Sequence, residues 1–506
     1  MTSADNARTY RFAPLDRGGW ILGLGAGQCL LLASGLLAAG VALQVGLPTP
    51  VAVGAVAFVL VGAFGSWHGR SIHEWAPVLA RFAVLRLSGA ARWRAELPLL
   101  TGTAADARRE PPLPPFLAGL AIVGVPGLSW CPATIATGVG VVRDRRAHTV
   151  SASVPVRGRE FSLLERADQE RALHQWGEVL AGFCAERGAV SRIRCTEWAT
   201  ATDLDEHLAL AEARSGGLDS TPGRHYRQLL AEAAAHTVAH DLLVTVTVDP
   251  RRVRAQRRAG ARAHEAAIDI LGEELRLLSS RLDAAGLATG APLSATQTAE
   301  AVRVRVDPAA QPVLRTRRRS LAELVGVVSG YNAGPLATDI TWSALRCDGS
   351  WHRSFWIAEW PRFETGPGWL EPLLLHPGGT RTFALHYEPV PPSRSRRQID
   401  RDATRLATDE EQRARTGFRI GAHHRRAQTA VAEREAELVA GYAELAYAGF
   451  LTVSAADREA LDRSCAEYEQ AAARAGLELR ALDGRHETGL VCALPIGRGL
   501  VERWSR

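Results

Sequence analysis

The stretch GGWILGLGAGQCLLLASGLLAAGVAL, residues 18–43, carries no charged residue, and Gln28 and Ser34 are its main polar interruptions. A turn with two prolines, QVGLPTP at 44–50, follows it. Residues 51–65 form a second uncharged run, extended by Leu47 on one side and Trp67 on the other. A helix rises about 1.5 Å per residue, so about 20 apolar residues cross a hydrocarbon core of roughly 30 Å. The first run spans comfortably. The second is near the short limit and needs Trp67 at the interface. Together they predict a two-helix transmembrane hairpin over residues 18–67.

The flanks orient it. Arg8, Arg11 and Arg17 precede the first run, Arg70, Arg81, Arg86, Arg92 and Arg94 follow the second, and the turn between is uncharged. The positive-inside rule puts both flanks in the cytoplasm. The expected location is the plasma membrane, multi-pass, with both termini cytoplasmic. A signal peptide is disfavoured because the run is long, a second follows at once, and no A-x-A site intervenes. Gly19, Gly23 and Gly27 stand four apart, a small-residue face on which another helix can pack closely. Gly23→Leu is expected to disturb that packing more than Leu31→Ala. A G-x-G also occurs there, but no strand precedes it, so no dinucleotide fingerprint is read.

Composition excludes several chemistries. All 60 basic residues are Arg, because the sequence contains no Lys. A P-loop, Schiff-base chemistry and S-x-x-K dyads all require Lys. The seven cysteines are scattered without a C-x-x-C, which fits free thiols in a reducing cytoplasm.

Past the hairpin, residues 71–95 read as an amphipathic helix on which Ile72, Trp75, Val78, Leu79, Phe82 and Leu85 recur at three- and four-residue spacing. It either lies in the membrane interface or packs on the cytosolic domain. Trp67, Arg70, Trp75 and Arg81 are the membrane-interface candidates. The expected units are a cytosolic tail (1–17), the hairpin (18–67), the amphipathic helix with a Pro-rich linker (68–115), a first α/β lobe with a long helix (116–300) and a second α/β lobe (301–506). Strands are expected near 121–125, 136–142, 149–156, 190–198, 242–248, 351–361, 381–390, 477–482 and 489–494. Their alternation with helices predicts an α+β fold of ferredoxin-like lobes. No internal repeat can be asserted from the sequence.

The usual catalytic and metal-binding motifs are absent from the sequence. There is no G-x-S-x-G, H-E-x-x-H or EF-hand loop. His236 and His240 have metal-ligand spacing on a predicted helix, but two histidines four apart also occur by chance. Trp351, Phe355, Trp356 and Trp360 could stack bases, and fit better as the filling of a central strand. Arg clusters at 251–262, 315–319, 394–401 and 423–426 could meet nucleic acid, but the net charge is only +6. No catalytic residue, cofactor or metal is assigned, no enzyme is expected, and DNA is not an expected partner.

The segments SWHRSFWIAEWP at 350–361, LEPLLLH at 370–376 and RTFALHYEP at 381–389 resemble an actinobacterial membrane-protein family encoded with type IV secretion and conjugation-like machinery. Those proteins look like a small membrane hairpin fused to the N-terminal, non-ATPase part of a conjugation ATPase. The resemblance covers essentially the whole chain, and its E-W-P strand pair is the most specific piece. It implies a structural component that anchors a cytosolic scaffold, docks a separate secretion ATPase and works in an oligomeric assembly with other membrane subunits and the bilayer. A type VII secretion membrane subunit, also with two N-terminal spans, is the alternative. Gene neighbourhood separates the two.

Overall fold

A computed structural model describes residues 12, 26–46, 48–67, 70–95, 113–128, 138–158, 160–201, 205–215, 218–234, 237–257, 263–314, 333–415 and 421–499. Gly19, Gly23, His236, the Arg cluster at 315–319, the helix expected at 320–329 and most of the Pro-rich linker lie outside them. The chain is a mixed α+β protein with a large antiparallel sheet and an apolar helix near its N-terminus.

Helices α1 (Ala26–Gln44) and α2 (Thr49–Phe64) come first, followed by a two-stranded ribbon, β1 (Ser66–Trp67) and β2 (Arg70–Ser71), and by α3 (Ile72–Leu87). Pro50 starts α2 within its first turn, where a missing N–H costs nothing. A short strand, β3 (Arg92–Arg94), then joins the main sheet.

The sheet proper is built twice. The first passage contributes β4 (Leu120–Val125), β5 (Val139–Asp144), β6 (Thr149–Arg157), α4 (Arg166–Ala181), β7 (Val190–Ala201), a helical arm of α5 (Asp205–Ser215) and α6 (Thr221–Ala234), β8 (Val238–Val248), α7 (Pro250–Arg257), α8 (Ala263–Ala284), β9 (Ala288–Thr289) and α9 (Ala295–Val306). The second contributes β10 (Ala337–Ile340), β11 (Leu345–Cys347), β12 (Ser350–Glu359), α10 (Glu371–Leu374), β13 (Thr380–Pro389), an arm of α11 (Pro392–Arg415) and α12 (Ala422–Val439), β14 (Leu445–Ala455), α13 (Arg458–Arg474), β15 (Glu478–Ala481) and α14 (His486–Ala493). In each passage the outer strand of the arm-bearing pair lies at the centre of the whole sheet. The spatial orders are β4-β5-β6-β8-β7 and β10-β11-β12-β14-β13, with β9 against β6 and β15 against β12.

The registers make this an internal repeat. Ser151 faces Thr247 as His352 faces Ser454, and Ser153 faces Thr245 as Ser354 faces Thr452. The hydroxyls of Ser153 and Thr245 are 2.8 Å apart, and those of Ser354 and Thr452 are 2.9 Å apart. Leu293 donates its N–H to the Ser153 carbonyl, and Leu482 does the same to Ser354. The repeats join where β7 pairs antiparallel with β13. Thr196 faces Leu243, Ala384 faces Phe450, and Thr196 and Ala384 face each other, so a pseudo-twofold axis passes through that pair. The sequence division at residue 300 falls inside α9.

Strand alternation explains the two faces. Val150, Val154, Ile193, Val244 and Val246 point to α4 and α8, in the larger core, while Phe355, Phe383, Leu451 and Val453 point to α13. The opposite face carries Ser151, Ser153, Arg194, Thr196, Thr245, Thr247, His352, Ser354, Thr452 and Ser454, all buried. It is closed by α9, by α14 and by the segment after α14. Residues 489–494, expected as a strand, are mostly helix α14, because a short apolar run does not distinguish a buried helix from a strand. Residues 494–499 cross from the second repeat onto the first. Pro495 accepts from Ser153, Arg498 is paired with Asp144 at 2.6 Å, and Gly497 sits at φ 70 with no room for a side chain beside Ser151.

His352 shows what this polar face implies for pH. Nε2 lies 2.7 Å from the Val306 carbonyl and so donates, and Nδ1 accepts from Ser454 at 2.8 Å. Burial lowers the His352 pKa to about 4, opposed by its bond to Val306. The folded state therefore keeps it neutral where the unfolded chain, with a pKa near 6.5, would protonate. Its contribution is complete above pH ~6.5 and is lost as pH falls toward 4, by up to about 1.4 kcal/mol per pH unit. Chemical denaturation between pH 7 and 4.5 should show that slope, and His352→Gln should reduce it.

Candidate membrane-proximal site

Among the described residues, one helix is long and apolar enough to cross a membrane: α1 over Gly27–Gln44, with a mean hydropathy of 1.5. Helix α2 has 16 residues, about 24 Å of rise, and falls short of a full hydrocarbon core on its own. The two helices lie side by side and antiparallel. Gln28 donates to the Ala63 carbonyl at 2.9 Å, and Gly35 meets Val59. Their outer faces are uncharged and bare, with Leu30, Leu36, Leu37, Val53, Phe58 and Val61 all exposed.

The glycine expectation is redistributed. Gly19 and Gly23 lie outside the described residues. A Cβ on Gly27 would approach the His73 ring at 3.0 Å, so this glycine faces the start of α3. The close helix–helix approach is at Gly35, where a Cβ would stand 2.7 Å from Val59 Cγ2. Leu31, expected to be off the packing row, lies between Gly27 and Gly35 at four-residue spacing and is half-buried.

Trp67 and Arg70 are backbone partners in the β1–β2 ribbon, and their side chains lie outside what the structure describes. The inner side of α3 packs on the second repeat. Trp75 is buried, with its ring 5.8 Å from Trp342, and the Phe82 ring is 5.2 Å from Trp342. Arg81 pairs with the buried Glu487 carboxylate at 2.5 Å. Trp75 and Arg81 therefore both make contacts between α3 and the sheet domain. Three- and four-residue periodicity marked the apolar side of α3 correctly but could not say what covers it. Ile72 and Leu79, on the margin of that apolar stripe, and Val84 and Leu87, away from it, remain exposed.

A second tether was not foreseen. Phe12, ahead of α1, stands among three rings of the second repeat. Its ring centroid is 5.3 Å from Trp360, 5.0 Å from Trp369 and 6.3 Å from Tyr447. The sequence offers Trp360 as a base-stacking residue or, better, as strand filling, and neither reading includes this contact. Of its strand neighbours, Phe355 is core, while Trp351 lies between the Arg346 and Arg458 guanidinium groups.

Among the described residues three arginines are fully buried, Arg194 and Arg381 on strands and Arg305 on α9, a use the Arg-rich composition conceals. Arg381 donates to both oxygens of Glu197, at 3.0 and 2.9 Å, and to the Leu374 carbonyl. Arg305 pairs with Asp241 at 2.7 Å over the Trp198 ring. Arg194 has backbone acceptors, the Leu494 and Arg498 carbonyls, and burial lowers its pKa. Arg381–Glu197 and the exposed Arg192–Glu388 pair both tie one repeat to the other.

His240 lies on β8, not on a helix, and its Nδ1 is 2.6 Å from Glu197. No cluster of three metal-ligating side chains occurs among the described residues. Of the Arg clusters, Arg394, Arg396 and Arg397 are exposed on α11, Arg425 and Arg426 are exposed on α12, and Arg252 caps the Val190 carbonyl. No known protein family matches the chain, and no curated protein matches it either.

Proposed function

We propose that the chain is a membrane-anchored scaffold, with α1 and α2 inserted as a hairpin and the double sheet as a cytosolic platform for a separate secretion ATPase. The platform's two repeats are read as ferredoxin-like units, from their β-α-β-β-α-β order with a helical arm inserted in the central hairpin. The carrying observation is the seat of Phe12. Residue 12 precedes α1, while Trp360, Trp369 and Tyr447 follow α2, and the rings touch. With both ends of the helix pair held to the second repeat, we favour two crossings over a single crossing by α1; a helix pair that stays out of the bilayer would also allow the contact, and the labelling below separates the two. The uncharged, exposed flanks of α1 and α2 suit hydrocarbon. Helix α2 would complete its span with the flanking residues 45–48 and 65–67.

Cysteine labelling tests the topology. Val45→Cys, in the turn, should react with an impermeant maleimide on intact cells, whereas Thr9→Cys and Ser88→Cys should react only after lysis. Labelling of Thr9→Cys on intact cells would remove the hairpin.

The platform role carries its own expectation. The sequence lacks the Lys with which a P-loop reaches phosphates. The purified chain should neither bind nor hydrolyse ATP, while loss of the gene abolishes secretion or transfer. Saturable ATPase activity that co-purifies at constant specific activity would overturn the scaffold reading.

A further inference from the structure

We propose that Trp360, Trp369 and Tyr447 form a receptor site for a short aromatic peptide, and that its occupant is this chain's own N-terminal segment, docked through Phe12. The site is preformed by packing that does not involve Phe12. The Trp360 ring meets Tyr447 edge-on at 5.0 Å and 81°, and Trp369 at 6.2 Å and 66°. Both tryptophans pack on the second-repeat core. Gly449 lies beneath Trp360, and a Cβ there would stand 3.2 Å from Cζ2, so the ring rests on bare backbone. Burial pushes the Tyr447 hydroxyl up to about 12, so the wall of the site stays neutral at physiological pH. Stacked and edge-on rings within 5–7 Å are the arrangement in which aromatic pairs attract beyond their buried area.

The internal repeat explains why the site is there. In the first repeat the crossover from β6 to β7 carries the 16-residue α4, and its Trp176 packs 6.3 Å from Tyr387 of the neighbouring repeat. In the second repeat the corresponding crossover has only the four-residue α10, and Trp360 and Trp369 both stand in that crossover. The shortened helix leaves aromatic surface for which Phe12 supplies the fourth ring. A rigid aromatic box with a single inserted ring is a recognition site for a linear segment, with the ring as its anchor. Docking there does not require a membrane; the topology reading rests on the same Phe12 contact, but the peptide-binding test below and the cysteine labelling above fail independently.

The test uses the full-length chain in detergent, carrying Phe12→Ala to vacate the box, and a fluorescein-labelled peptide of residues 4–16, read by fluorescence anisotropy. The peptide should bind saturably, and the same peptide with Phe12→Ala should bind at least about tenfold more weakly. The wild-type chain, whose box is filled, should bind the labelled peptide several-fold more weakly than the Phe12→Ala chain. Adding Trp369→Ala to the Phe12→Ala chain should lower affinity about tenfold, with the thermal midpoint confirming that the chain is folded. Absence of saturable binding to the Phe12→Ala chain overturns the proposal. Equal binding by the two peptides, or by the wild-type and Phe12→Ala chains, does so as well.

Discussion

Arg381→Ala should remove about 3–5 kcal/mol of stability. The guanidinium is fully buried, donates to both Glu197 oxygens and to the Leu374 carbonyl, and lies 5.8 Å over the Tyr468 ring. Truncation withdraws a cation, leaves the mostly buried Glu197 carboxylate without its bidentate partner and with His240 as its remaining hydrogen-bond partner, and opens a cavity at the β7–β13 seam. A buried pair costs little to replace whole but much to halve, because the partner's desolvation is no longer offset. Arg192 makes the comparison. It also bridges the repeats and donates to the Gly497 carbonyl, but its partner Glu388 is half exposed and stays solvated, so Arg192→Ala should cost less, about 1–2 kcal/mol. Denaturant midpoints of the purified variants measure both. Equal midpoints for Arg381→Ala and Arg192→Ala would mean that the seam does not depend on the buried pair.

Gly35→Leu should separate α1 from α2. Even a single Cβ at this position would lie 2.7–2.9 Å from three atoms of Val59, and a leucine adds three more carbons. Overpacking of this kind typically costs about 1–3 kcal/mol, and helices in lipid have no hydrophobic drive with which to recover it. Gly40 and Gly54 lie on the same two helices with open space where a Cβ would go. Gly40→Leu and Gly54→Leu add the same bulk without the clash. In a Gln28→Cys, Ala63→Cys background, disulfide formation between the helices should fall several-fold with Gly35→Leu and stay near the background level with the other two. Equal cross-linking in all three would show that the helices do not pack at this glycine.

Much of the sheet was legible because a half-buried strand writes its two faces into alternate residues. Residues 242–248 and 381–389 announce themselves in this way. The duplication was not legible. Val154 and Phe355 hold equivalent places, as do Ser151 and His352, and the repeats share apolar–polar alternation and register instead of side chains. Equivalence of that kind appears only when cross-strand partners are known. The two apolar runs were legible as the helices α1 and α2, but where those helices meet was not. A four-residue glycine spacing marks a helix row without saying which stretch of the row meets a neighbour. Trp75 and Arg81 were assigned to the interface by their type and their nearness to the apolar runs, whereas Trp342 and Glu487, far along the chain, determine their surroundings. Phe12 gave no signal at all, being one of two aromatic residues, with Tyr10, in a polar tail.

The crossing segment at 494–499 also imposes an order on biosynthesis. Arg194 finds its acceptor on Leu494, a residue translated 300 positions later, and Ser153 finds Pro495 later still in relative terms, 342 positions on. At about 5–20 residues per second, the ribosome needs roughly 15–60 s to cover that interval. Until then the guanidinium of Arg194 and the hydroxyls of the first repeat's polar face remain hydrated, and that repeat cannot close. Helices α1 and α2 have left the ribosome long before. The nascent first repeat therefore waits as an open half-sheet, with β7 unpaired on one edge until β13 arrives. A chain interrupted before residue 494 would carry that open face permanently, which makes such truncations natural substrates for quality-control proteolysis.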